Sequence, residues 1–338
     1  MNGQALAADG KISVSTHFVR AVLRHTLEAG IDPQALLRHH RIPPRLLAEP
    51  QARISVQQFA DLQTGTMQAM EDEALGYARA PVPLGTWDMM CHAVINAGTL
   101  GQALHRYCRF FQLIDRGLAT YLEIDAEDAR LILDDAVGKS GAYLAELSFL
   151  NTHRFACWLV QEELPLREVC FSHARSARAG DYRLMFVGNP VTFEQDHHEL
   201  HLASSILAKP ILQTPESLRR SLRHPMRAML TTSYAYSWTA QVREQLRREL
   251  DDLPELVAVA ARLELHPQTL RRRLSAEGTT FKQIKSDIRR DTALHFLGKR
   301  NLSVEEVAHR SGFSEASAFI RAFKGWTGLT PYSYRKGL

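Results

Sequence analysis

The side chains in this sequence best suited to recognition chemistry are arginines. Arg271, Arg272 and Arg321 each carry a planar guanidinium fork that matches the O6 and N7 acceptors of guanine. They fall in two copies of one pattern, whose seating residues Leu270 and Phe319 stand 49 positions apart. Other reactive residue types are present without a matching arrangement. His197, His198 and His201 in DHHELH have metal-ligand side chains, but adjacent histidines on an extended segment point to opposite faces, so they read as surface or loop residues. Cys91, Cys108, Cys157 and Cys170 never form a CxxC pair, which argues against both a zinc knuckle and a disulfide framework and leaves reduced core thiols. Ser148 has no glycine elbow around it, and no GxGxxG, Walker or HExxH pattern occurs. No catalytic residue, metal or cofactor is expected.

The elements that must position the arginines are two helix-turn-helix patterns. The first has a helix over about Pro254 to Leu263, a turn at Glu264 to His266, and a second helix from Pro267, where a missing N–H costs nothing. In the second, Ser303 opens SVEEVAHRS as a capping box with Glu306, Gly312 makes the turn, and SEASAFIRAF follows. Small residues, Ala260 and Ala308, stand where the helices cross. Turning the i, i+4 pairs Leu270/Leu274 and Phe319/Phe323 toward the core leaves Gln268, Thr269, Arg271 and Arg272 outward in one copy, and Ser317, Ala318, Ile320 and Arg321 in the other. Arg273 reads as a phosphate or surface residue. Between the copies, FKQIKSDIRRDTALHFL places Phe281, Ile284, Ile288 and Leu297 on one face of a spacer helix. A helix of about 16 residues spans ~24 Å, the right order to set two readers roughly one ~34 Å turn of DNA apart once flanking helices are added.

The segment GFSEASAFIRAFKGWTGLTPYSYR resembles the C-terminal signature of the AraC/XylS-type transcription regulators. The resemblance covers about residues 236 to 335, including both helix-turn-helix units, the spacer helix and the closing Gly328, Pro331, Tyr334 and Arg335. It implies a seven-helix module that lays two recognition helices into successive major grooves. Charge agrees: from residue 238 onward 18 Lys and Arg face 12 Asp and Glu, against 23 and 25 before it, so the basicity sits in the proposed reader. Lys282 is expected on a phosphate.

With 338 residues and 45% hydrophobic composition, the chain has room for a second domain. No secretory h-region follows MNGQALAADGKISV and no apolar run approaches the ~20 residues needed to cross a bilayer, so a cytoplasmic protein is expected. Helical patterns occupy about 15–30, 33–39, 55–71 and 87–114. GLATYLEID and ARLILDDA then alternate as a hairpin around Asp125 to Asp128. A helix over about 139–163, a strand at REVCFSHA, a short helix near DYRLMF and strands at NPVTFE and LHLA complete an α+β domain with a mostly antiparallel sheet, followed by the all-α reader. The order of DPQALLRHHRIPPRLLAEPQARIS, NAGTLGQALHRYCRFFQLI and GNPVTFEQDHHELHLASSIL resembles the arabinose-binding-like sensor of one AraC subgroup. The division expected is a sensing and dimerisation domain at 1–205, a linker with a helix (PESLRRSLRHPMRAML) at 206–235, and the DNA module at 236–338.

Sensor pockets are mostly apolar with few fixed polar groups. Trp87, Met90, Phe110, Tyr143 and Arg154 are therefore the ligand candidates, against the plain reading of TWDMMCH and RYCRFFQLI as packed core. Arg154, inside an otherwise apolar helix, needs an anionic partner if buried, from the protein or from a ligand carboxylate. The function expected is a homodimeric, sequence-specific regulator and activator, acting on RNA polymerase and modulated by a small organic effector. Two alternatives remain: control by a protein partner, and a catalytic domain on this module. The family includes DNA-repair methyltransferases, but these carry a tight zinc-binding cysteine cluster that the four cysteines here do not match.

Overall fold

Alternation, caps and chain reversals account for most of the observed elements. The computed structural model describes residues 13–49, 52–117, 119–134, 142–175, 182, 185–186, 189–226, 238–250, 253–277, 279–298 and 301–336. In chain order the elements are β1 (Ser13–Ser15), α1 (Thr16–Val22), α2 (Pro33–His39), β2 (Arg53–Ser55), α3 (Val56–Met70), α4 (Thr86–Val94), α5 (Leu100–Ile114), β3 (Thr120–Ile124), β4 (Asp128–Leu133), α6 (Ala142–Val160), β5 (Leu166–Cys170), β6 (Val191–Thr192) and β7 (His198–Ala203). After them come α7 (Pro215–Ser221), α8 (Trp238–Arg248), α9 (Leu256–Arg262), α10 (Pro267–Ala276), α11 (Phe281–Leu297), α12 (Val304–Arg310), α13 (Ala316–Thr327) and α14 (Pro331–Lys336). Two compact units result, one from residues 25–31 and 66–234, the other from residues up to 24, 32–65 and 235–338.

The first unit is built on a five-stranded sheet of order β3-β4-β7-β5-β6. All its pairings are antiparallel except β5 with β6. The expected hairpin is present: Asp125 N–H donates to the Asp128 carbonyl at 2.9 Å, and Ile124 stands opposite Ala129. Period-two alternation buries Ala129, Leu131 and Leu133 on β4, and His198, Leu200 and Leu202 on β7. That face joins Met90, Leu104, Tyr107, Phe149 and Phe155 from α4, α5 and α6 in one core. His198 is therefore buried, not a surface residue; its ring meets Ser172 at 3.1 Å (Nε2 to Oγ).

Two expected helices need correction, and one strand pair stands where none was expected. The single helix over 87–114 is two helices, because Thr99 is a new N-cap whose hydroxyl accepts from the Gln102 amide at 3.3 Å. The helix over 15–30 stops at Val22, and turns lead to Gly30 at φ +75°. β1 and β2, pairing Val14 with Ile54, had no signal in the sequence reading. Half of the expected helix near DYRLMF and the end of PESLRRSLRHPMRAML lie outside the described residues.

The second unit holds α1, α2, most of α3 and the seven helices α8–α14, with the β1–β2 ribbon against α11. The Arg53 guanidinium donates to Ser13 Oγ and Ser13 O, both at 2.9 Å, and Arg290 Nε on α11 donates to the same Oγ at 3.2 Å. The Tyr334 hydroxyl on α14 donates to Gln58 Oε1 at 3.5 Å.

Candidate nucleic-acid interface

Each reader is a helix pair joined by a left-handed turn. In the first, the Ala260 carbonyl accepts from Leu265 N–H at 2.9 Å, with Glu264 at φ +55°. In the second, the Ala308 carbonyl accepts from Phe313 N–H at 3.0 Å, with Gly312 at φ +77°. The two turns share this reversal, although only one has the residue type that adopts this φ without steric cost, and the second runs one residue longer, over 311–315 against 263–266. His266 caps α10 by accepting from the Gln268 amide at 3.3 Å, and the Ser303/Glu306 capping box is formed in both directions.

The seats lie where the helical phase places them. Leu270, Leu274, Phe319 and Phe323 are all fully buried. Opposite them Gln268, Arg271, Arg272, Ser317 and Arg321 are exposed, while Thr269, Ala318 and Ile320 are half-buried. Lys282 is exposed in the first turn of α11. Lys324 is also exposed, one turn beyond Arg321 on the stripe Ser317–Arg321–Lys324; the helical phase of α13 could have identified it. Arg273 is not a free surface cation. Its guanidinium stacks 4.0 Å from the Trp238 ring centroid and ties α10 to α8.

The mount between the readers is more polar than its apolar stripe suggests. Ile284, Ile288 and Leu297 are buried as expected, but so are Asp287 and Asp291. Arg243 of α8 pairs with Asp287 at 3.1 Å and Asp291 at 3.9 Å, and Arg290 pairs with the same two acids at 2.9 and 3.2 Å. Removing one member would leave a buried charge uncompensated, which costs far more than the intact network contributes. The Glu277 carboxylate at the end of α10 accepts from the Trp238 and Thr239 amides at 2.7 and 2.8 Å, complementing the α8 N-terminus.

The five sensor candidates lie on three helices: Trp87 and Met90 on α4, Phe110 on α5, Tyr143 and Arg154 on α6. Trp87 is half-buried, 5.6 Å from Phe155, with Met90 fully buried one turn along α4. Phe110 packs edge-on to Phe111 at 5.5 Å, and Tyr143 lies 5.4 Å from Tyr77. Tyr143 and Arg154 share α6 but are eleven residues apart, about 16 Å along the axis, too far for one small ligand to bridge side by side. Burial holds the Arg154 guanidinium below its ordinary pKa, and the nearby Glu163 carboxylate opposes that shift. Burial pushes the Tyr143 hydroxyl upward, with Tyr77 and Glu146 adding to the shift.

Comparison with known proteins agrees with this architecture. The model of the arabinose-binding N-terminal domain of AraC transcription regulators matches residues 30–211, and a helix-turn-helix domain model matches residues 259–337. The chain belongs to the AraC family of transcription regulators. It is 30% identical over 329 residues to the ornithine utilization regulator of Pseudomonas aeruginosa, covering 96% of both chains. It is 27% identical over 321 residues to the regulator VirS of Mycobacterium tuberculosis, covering 91% of this chain and 92% of that one. The solved structure of CdpR from Pseudomonas aeruginosa is 24% identical and covers 90% and 96% of the two chains, with a TM-score of 0.30. This AraC-family member is thus a DNA-binding transcription regulator with a ligand-binding N-terminal domain, and the relatives named are regulators rather than enzymes. Among the described residues no helix is long and apolar enough to cross a membrane.

Proposed function

We propose that this AraC-family regulator is a cytoplasmic, homodimeric activator without catalytic activity, which reads two half-sites and acts on RNA polymerase when a small organic effector occupies its sensor. One observation carries the DNA-reading part: two exposed polar faces, on α10 and α13, lie opposite fully buried seats. In this reading Gln268, Thr269, Arg271 and Arg272 meet bases in one groove, and Ser317, Ala318, Ile320 and Arg321 meet them in the next. Lys282 neutralises a phosphate. Sensing is assigned to residues 1–205, connection to 206–235 and reading to 236–338, with residues 13–24 and 32–65 serving as a brace on the reader. Activation is supported by the Escherichia coli urease operon transcriptional activator, 38% identical over 91 residues.

The name of the Pseudomonas regulator makes amino acids, ornithine first, the effectors to titrate. An effector can act only by binding the DNA-competent state more or less tightly than the other, and linkage makes the effect reciprocal. Full-length protein is therefore titrated with ornithine, other amino acids and small carboxylates, with and without operator DNA. The reading requires one compound whose affinity changes when DNA is present, and a change lost in Trp87→Ala. A sensor that shifts with none of them, in melting temperature or in DNA affinity, overturns effector control.

A further inference from the structure

We propose that His153, Cys157 and Glu163 form a binding site for a borderline transition-metal ion of the Zn2+ type at the C-terminal end of α6. His153 and Cys157 stand i, i+4 on one face of the helix. Gln161, at φ +54°, then reverses the chain, and Glu162 N–H donates back to the Cys157 carbonyl at 3.1 Å. This reversal lays residues 163–164 over the last helical turn. The candidate ligand atoms of all three side chains lie within 4.8 Å of one another.

The spacing suits one ion. His153 Nε2 and Cys157 Sγ are 3.5 Å apart. A tetrahedral centre with bonds of about 2.0 Å to nitrogen and about 2.3 Å to sulfur separates two such ligands by about 3.5 Å. The surroundings fit as well. Leu164 N–H lies 3.3 Å from Cys157 Sγ, an N–H···S contact that a metal-bound thiolate retains. The Leu164 carbonyl is 2.8 Å from His153 Nε2, close enough to swing in as a fourth ligand.

In the ion-free protein the Nε2 proton points at the Leu164 carbonyl; on binding it moves to Nδ1 and the ring stays neutral. The Cys157 S–H bond breaks, an S–metal bond forms and one proton leaves to solvent. Thiolate and carboxylate together neutralise a divalent ion. Both charges are needed, because Arg154 lies within electrostatic reach of Glu163 and opposes a cation. The bound ion would pin the end of α6, the helix that carries Arg154, to the segment that enters β5. This site is independent of the effector reading and of DNA binding.

Full-length protein stripped with chelator and titrated with Co2+ tests it. One equivalent should give thiolate-to-cobalt charge-transfer absorption, displaced by Zn2+, with affinity rising about tenfold per pH unit as one proton is released. Cys157→Ser should abolish the band, and Glu163→Gln should weaken binding by at least about tenfold. Cys170→Ser should change neither. A band that survives Cys157→Ser, a band lost in Cys170→Ser, or no thiolate band at saturating Co2+ overturns the site. Should Cys157→Ser fail to fold, Glu163→Gln and the alkylation of Cys157 in the native chain decide. Zn2+ must protect that thiol in the native chain and protect it less in Glu163→Gln; equal labelling with and without Zn2+ counts against the proposal.

Discussion

In the first helix-turn-helix unit, Leu270 and Leu274 seat α10 among Val242, Leu246, Val259, Ile284 and Ile288, an aliphatic core closed by Arg273 stacked on Trp238. In the second, Phe319 and Phe323 seat α13 in a ladder of rings: Phe313 to Phe319 at 5.6 Å, Phe319 to Phe323 at 5.7 Å and Phe323 to Tyr334 at 5.5 Å. The buried cluster of the first core is drawn from residues 238–288. The second is braced from outside the C-terminal hundred, by Gln58 on Tyr334 and by the Glu49 carboxylate against Gly328. One geometry is therefore held by two kinds of packing, and early residues brace both: Gln58 reaches Tyr334, 276 positions on, and Ser13 reaches Arg290, which shares Asp287 and Asp291 with Arg243. The first reader also carries strain that the second does not, since Glu264 occupies a φ that Gly312 adopts freely.

The difference can be tested from the largest effect downward. Phe323→Ala should cost about 3–5 kcal/mol of unfolding free energy, because a ring at the centre of a ladder leaves a cavity its neighbours cannot close. Hydrogen exchange should then show protection lost over α12–α14 before α8–α10; equal loss in both would mean that the readers share one core. Arg272→Ala and Arg321→Ala should each weaken specific DNA binding by about 1–3 kcal/mol and relax preference at one base position in their own half-site. Footprints that weaken uniformly for every sequence would demote either arginine to a phosphate contact.

Exchanging the turns gives a smaller effect of opposite sign. Glu264→Gly should raise stability by up to about 1 kcal/mol, and Gly312→Ala should lower it by about 1–2 kcal/mol, as read from urea midpoints at constant m. A neutral Gly312→Ala would show that the second turn needs no left-handed residue. Lys282→Ala should change least: the slope of log affinity against log salt should fall by about one while base preference stays unchanged.

Both readers were legible in the sequence because everything that defines them is local. Phase at i, i+4 selects the seats and the exposed faces, Ser303 and Glu306 are three positions apart, and Pro267 marks the start of α10. The same locality explains the β3–β4 hairpin. The break in the run 87–114 is local too: Asn96, Gly98 and the Thr99 cap divide it into α4 and α5.

What the sequence determined by itself was thus the identity of the DNA-reading face and its supporting periodicities. Tertiary structure alone decided that Asp287 and Asp291 are buried acids, since their partner Arg243 is 44 positions from Asp287 and no short-range spacing announces it. It also stacked Arg273 on Trp238 and buried His198 against Ser172. A side chain's local phase says which way it points, but its energy depends on what the folded chain brings opposite. For charged and aromatic groups, whose desolvation must be offset by a specific partner, that non-local pairing determines the role.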